Sequence, residues 1–242
     1  MQPKGLLLDF GGVLVEEVSF NPRAGNEWLL TRASRKPAHV TIDDVLDRAV
    51  RVTSETAARR DQFHIETPWP TLTRLIHDYF GIEFVDPMAD LELGFWKASV
   101  VTRPMPGARA ALDLIHQAGV PFAVVSNASF SERVIHHEIA RHGLAEHLEF
   151  VVVSSEYCVR KPNVLLFEIA AARLGVKAKD IWFVGDRLDT DVTGANAAGM
   201  TAVWFGQHNL HESLVAGADL LVADWSDLVR QFVKYTQVGV ST

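Results

Sequence analysis

Four stretches of this 242-residue chain carry side chains whose types and spacing could do chemistry. Asp9 ends the apolar run Leu6-Leu7-Leu8 and is followed, after Phe10, by Gly11-Gly12. Ser126-Asn127 ends the run Phe122-Ala123-Val124-Val125. Lys161 stands in a loop before Pro162, and Asp186, Asp189 and Asp191 follow Ile181-Trp182-Phe183-Val184. A carboxylate at the mouth of a buried strand is costly unless a cation or donors meet it. A carboxylate to attack, a hydroxyl and an amide to donate, a lysine, and acids to hold a metal form together a kit for phosphoryl transfer. Each stretch alone has a plainer reading. Ser126, Asn127 and Asp191 could cap helices, and Lys161 could be a surface lysine. Three of them at the ends of apolar runs, and Lys161 in the loop that follows another, favour chemistry.

The elements that must position them follow from the pattern. Short unbroken apolar runs read as strands of a parallel sheet buried on both faces. Helical segments separate them: Ala108 to Gln117, Ser131 to His142, a segment ending at Leu174, another through Ala195 to Ala198, and Ser226 to Lys234. Alternating strands and helices predict an α/β, Rossmann-like parallel sheet, with ligands at the carboxyl ends of the strands. Residues 1–15 and 104–242 are assigned to this core, with 236–242 as a flexible tail. Residues 16–103 read differently: an irregular flap to Pro22, then helical periodicity. Thr41 to Asp44 resembles a capping box, and Pro70 and Pro87 open further helices. The expectation is an inserted all-helical bundle.

Composition narrows the field. Hydrophobic residues make up 48% and charged residues 22%, as in ordinary globular chains. A net charge of −7 argues against a broad nucleic-acid or anionic-membrane surface. Cys158 is the single cysteine, so no intrachain disulfide forms, and a reducing, cytoplasmic setting is expected. The first apolar run is too short for a signal-peptide core, and no run is long enough to span a membrane. The ten histidines show no metal-binding spacing and are assigned no metal.

In order and spacing, the four stretches resemble the haloacid dehalogenase superfamily. Asp9-Phe10-Gly11-Gly12-Val13-Leu14 resembles its first motif, and Ser126 closing Val124-Val125-Ser126-Asn127 its second. Lys161-Pro162 resembles the third, and Gly185-Asp186-Arg187-Leu188-Asp189-Thr190-Asp191 the fourth. The resemblance implies a helical cap inserted after the first motif, where residues 16–103 lie. It implies that Asp9 is the nucleophile of an aspartyl-phosphate mechanism. It makes Ser126 and Asn127 binders of the phosphoryl oxygens, and Lys161 a partner of both nucleophile and transferring group. It also implies Mg²⁺ held by the Asp9 side chain, the Gly11 backbone carbonyl and Asp186, with Asp191 a ligand or just behind one. The implied substrate is a small phosphorylated metabolite, hydrolysed as a phosphate monoester. A homodimer is left open.

One departure matters. Phosphatases of the superfamily usually carry an acid/base aspartate two residues after the nucleophile, where this chain has Gly11. Such a group contributes roughly 10²–10⁴ in rate. Glu16, in the flap, is the candidate replacement. Two other readings stand beside the phosphatase: a metal-independent 2-haloacid dehalogenase, and a catalytically weakened protein that binds a phosphometabolite. The acidic cluster at 186–191 argues against the dehalogenase, which needs no metal.

Overall fold

A computed structural model describes residues 2–206 and 217–237 of the chain. In chain order its elements are β1 (Gly5–Leu8), β2 (Val15–Phe20), α1 (Pro22–Arg32), β3 (Ala33–Arg35), α2 (Ile42–Phe63), α3 (Trp69–Phe80), β4 (Glu83–Phe84), α4 (Met88–Ser99) and β5 (Val100–Pro104). Then come α5 (Ala108–Gln117), β6 (Phe122–Ser126), α6 (Glu132–Arg141), β7 (Leu148–Val153), α7 (Ser154–Tyr157), α8 (Val164–Leu174), β8 (Ile181–Gly185), α9 (Thr193–Ala197), β9 (Thr201–Phe205), β10 (Leu220–Val222) and α10 (Trp225–Gln237).

Six strands form one parallel sheet in the order β10-β9-β8-β1-β6-β7. β1 is central and wholly buried, pairing β6 on one side and β8 on the other. Its side chains alternate between two cores, as the pleat requires. Leu6 and Leu8 pack with Val124, Trp182 and residues of α5, α6 and α10, while Leu7 packs with Ala123, Phe183 and residues of α8 and α9. A sheet covered on both faces has no room for polar side chains along its strands. They are confined to strand ends, and the carboxyl ends of β8, β1 and β6 lie side by side.

The insertion differs from the expected all-helical bundle. The flap is strand β2, paired antiparallel with β5, so a two-stranded ribbon carries the chain out of the core and back. A second small ribbon joins β3 and β4. The partners lie far apart in sequence, and the ribbons draw their stability from that long-range pairing rather than from local pattern. Helices α2 to α4 otherwise match the periodicity, α1 is a further helix beginning at Pro22, and Thr41 and Asp44 close a reciprocal capping box on α2. Val45, Val52, Ile76 and Ile82 form one small core there, and Leu29, Trp69, Leu91 and Phe95 another. At the other end, α10 extends to Gln237, and the rest of the expected tail lies outside the described residues. Among the described residues, no helix is long and apolar enough to cross a membrane.

Candidate active site

Asp9 leaves β1 with its amide bonded to the Val184 carbonyl of β8, so its side chain stands at the carboxyl edge of the sheet. Lys161 reaches the same point from the loop before α8. Its ammonium nitrogen lies 2.8 Å from Asp9 Oδ1, 2.8 Å from Asp191 Oδ1 and 2.9 Å from the Val125 carbonyl. An ammonium has three protons, and here each has an acceptor. Asp191 is fixed in turn by the Arg187 amide, which donates to Oδ2 at 3.1 Å. Asp9, Asp186 and Asp191 place carboxylate oxygens within 4.8 Å of one another. Among the described residues Asp186 forms no ion pair.

The charges do not balance. Three carboxylates face one lysine, which leaves an excess of two negative charges if all are ionised. The Asp9 carboxyl is raised to about 7, because burial first, and then Asp191 and Asp186, push it up by more than Lys161 pulls it down. Asp186 is likewise raised, first by burial and then by Asp191. Burial alone would lower the Lys161 ammonium, yet Asp191 and Asp9 outweigh it and hold it above its ordinary value. A divalent cation among the three acids would cancel the excess, and an all-oxygen donor set suits a hard ion.

Two glycines permit this packing. Gly12 has φ +73°, and a Cβ there would lie 2.2 Å from Asp186 Oδ2. A Cβ on Gly185 would lie 2.4 Å from that of Asp191. Gly11 is the opposite case, because a Cβ at that position meets nothing within 4 Å.

Above the acids opens a cavity of about 810 Å³, bordered by both the sheet and the insertion. Asp9, Gly11, Ser126, Asn127, Lys161 and Asp186 line its floor, so the structure brings together most of the residues singled out in the sequence. Asp191 sits just behind, 1% exposed. Asn127 has less freedom than expected. Its Oδ1 accepts from the Lys161 amide at 2.8 Å and its Nδ2 donates to the Lys161 carbonyl at 3.1 Å, which leaves one amide hydrogen unused.

Glu16 is not brought to the cavity. It pairs across the ribbon with Arg103, whose Nε donates to Glu16 Oε2 at 2.7 Å. Its neighbour Glu17, opposite Thr102 on the other face, lines the cavity instead. Successive residues of a strand face opposite ways, so reading residues 15–20 as a strand below the buried Val15 would have found Glu17. Trp96, Phe130 and Ile135 add an apolar wall, and Arg60, Asp61, His64, Arg160 and Arg187 a charged one. Trp96 comes from α4 of the insertion. The charged wall joins segments about a hundred residues apart and has no local signature.

A six-stranded parallel sheet with acids, a lysine and a serine at its carboxyl edge defines an α/β protein of Rossmann-like type with its candidate site at the strand ends. The haloacid dehalogenase-like hydrolase family matches residues 3–199, and the chain belongs to it. A glyceraldehyde 3-phosphate phosphatase of Methanopyrus kandleri is 37% identical over 101 residues, 42% of each chain. The chain spans about half the length of the curated relatives it matches. Two solved structures share the fold over nearly the whole chain. A HAD phosphatase from Thermococcus onnurineus has a TM-score of 0.62 at 21% identity, covering 94% of this chain and 96% of that one. A 2-haloacid dehalogenase from Pseudomonas syringae pv. Tomato has a TM-score of 0.66 at 19% identity, covering 96% and 99%. The shared fold does not separate the two chemistries.

Proposed function

We propose that this protein is a Mg²⁺-dependent phosphatase acting on a small phosphate monoester through an aspartyl-phosphate. The observation that carries this reading is the excess of negative charge at Asp9, Asp186 and Asp191. A dehalogenase attacking carbon has no use for a third carboxylate beside its nucleophile, whereas a site for a divalent cation does. Bound there, Mg²⁺ would neutralise the transferring phosphoryl group. Asp9, Asp186 and the Gly11 carbonyl would hold it, with Asp191 beside them.

The chain's own residues do the rest. Asp9 attacks phosphorus, and the ester oxygen leaves. Lys161 keeps Asp9 aimed and can exchange one of its acceptors for a phosphoryl oxygen. Ser126 offers its hydroxyl, and Asn127 its remaining amide hydrogen. Water then attacks the aspartyl-phosphate and frees Asp9. Glu17 replaces Glu16 as the residue assigned to protonate the leaving oxygen and later to activate water, because it is the ribbon carboxylate that borders the cavity. The insertion acts as a cap that limits water and selects the leaving group.

Phosphate release from a panel of monoesters, and chloride release from 2-chloropropionate, each measured with and without Mg²⁺, tests this reading. Metal-dependent phosphate release is expected. Metal-independent halide release would establish the dehalogenase. Saturable binding of phosphometabolites without turnover would establish the binding protein.

A further inference from the structure

The floor of the cavity rests on two core loops, 126–131 after β6 and 158–161 before α8. Both are fastened to one short segment of the insertion, residues 64–69. Its centre is Glu66, which is 2% exposed. One carboxylate oxygen accepts from Ser129 Oγ at 2.9 Å; the other accepts from Ser154 Oγ at 2.7 Å and from Arg160 Nη1. The backbone repeats the connection. The Glu66 amide donates to the Cys158 carbonyl at 3.2 Å, the Arg160 amide to the His64 carbonyl at 2.8 Å, and the Trp69 amide to the Ser129 carbonyl at 2.8 Å.

Two further facts mark the junction. His64 and Cys158, whose carbonyls accept the Arg160 and Glu66 amides there, are the only non-glycine residues with left-handed backbone among the described residues. Such backbone persists where surrounding contacts over-determine it. Glu92, 2% exposed on α4, accepts from the amide and hydroxyl of Ser131 at 2.8 and 2.6 Å. Carboxylates from the insertion therefore hold both ends of the 129–131 segment. Between these anchors and the chemistry lie only Asn127-Ala128 on one loop and the Arg160–Lys161 peptide on the other.

We propose that Glu66 is a positioning residue: a carboxylate of the insertion that sets the phosphoryl-binding loop and the lysine loop at their working separation. The idea rests on the phosphatase reading above and extends it. On this view the insertion does more than cover the cavity, because without Glu66 the core end is left loosely assembled. Arg160 loses its carboxylate partner, two serine hydroxyls lose an acceptor, and the relation of Ser126 to Lys161 is left to the Asn127 side chain and the Lys161 ammonium alone. The defect falls on the groups that hold phosphate, not on those that meet the leaving group.

The test compares wild type with Glu66→Gln by steady-state kinetics, by inhibition with inorganic phosphate, and by amide hydrogen exchange. Inorganic phosphate needs only the core end of the cavity, so it separates positioning from simple covering. The expected result is a fall in kcat and a rise in the phosphate inhibition constant, each about tenfold or more, with a smaller change in KM. Exchange should quicken in 126–131 and 158–161 and stay unchanged in β1 and β8. A phosphate inhibition constant and kcat within about twofold of wild type would overturn the proposal, even if KM rises. Should Glu66→Gln fail to fold, Ser129→Ala removes one of the three side-chain bonds to Glu66 and should show the same pattern at about threefold. If wild type itself hydrolyses no monoester, the phosphatase reading fails, and hydrogen exchange alone then judges the clasp. Unchanged exchange in both loops refutes it.

Discussion

Two buried carboxylate centres, one at the sheet edge and one at the root of the insertion, answer the same cost in opposite ways. Glu138 on α6 is 2% exposed. It accepts from Trp96 Nε1 at 3.0 Å and from Thr102 Oγ1 and the Arg141 guanidinium. Burial would raise its carboxyl, but the donors from Arg141, Thr102 and Trp96 outweigh it and bring it down to about 2. Asp9 is buried too, yet it shares one lysine with a second carboxylate, faces a third, and rises to about 7. Donors saturate the first centre and leave the second short. A saturated carboxylate joins parts of a fold; an undersupplied one is ready to receive a cation or an electrophile.

The contrast can be broken most sharply at Asp9. Asp9→Asn is expected to lower turnover by about 10⁴-fold or more, because it removes the attacking oxygen. It should leave metal-free stability unchanged or higher, since a like-charge contact goes with it. A loss of stability on denaturant unfolding would show that Asp9 is structural and end the contrast.

Glu138→Ala should behave the other way. Stranding the Arg141, Thr102 and Trp96 donors is expected to cost about 3 kcal/mol in urea unfolding. A cost below about 1 kcal/mol would mean that the centre is not saturated in solution.

Glu17→Gln sharpens the catalytic side. Turnover of an alkyl phosphate should fall by about 10²-fold, and that of an aryl phosphate less, because its leaving group needs less protonation. Equal losses on the two esters would remove Glu17 from the acid/base role. Open space around Gly11 allows the reciprocal experiment. Gly11→Asp should fold normally and restore turnover to Glu17→Gln.

The smallest effect is on pH. The folded Glu138 carboxyl binds its proton less readily than an unfolded one with its ordinary value of 4.5. Its stabilisation is therefore complete above about 4.5 and is lost as pH falls from there toward 2. Urea midpoints followed from about pH 6 to pH 3 should fall faster for wild type than for Glu138→Gln. Parallel curves would show that Glu138 titrates normally.

Much of the architecture was legible from local pattern. Leu6-Leu7-Leu8, Val124-Val125 and Trp182-Phe183-Val184 carry no polar residue, and only a sheet covered on both faces suits such runs. The pattern therefore marks Asp9, Ser126 and Asp186 as strand-end residues from local sequence alone. Lys161 lay in a loop and was reached through motif order.

What local pattern could not supply was anything set by distant partners. The ribbon of β2 and β5 exists because Val15 to Phe20 meets Val100 to Pro104, and that pairing turns Glu17 toward the cavity and Glu16 toward Arg103. The full engagement of the Lys161 ammonium, the engagement of Asn127 with the Lys161 backbone, and the grip of Glu66 on two core loops likewise join residues dozens to more than a hundred positions apart. The chain by itself determined which groups are present and which strand ends carry them, because burial and periodicity act over a few residues. Only the tertiary structure decided which of those groups are saturated and which remain available, because hydrogen bonds and Coulomb interactions depend on distance in space and not along the chain.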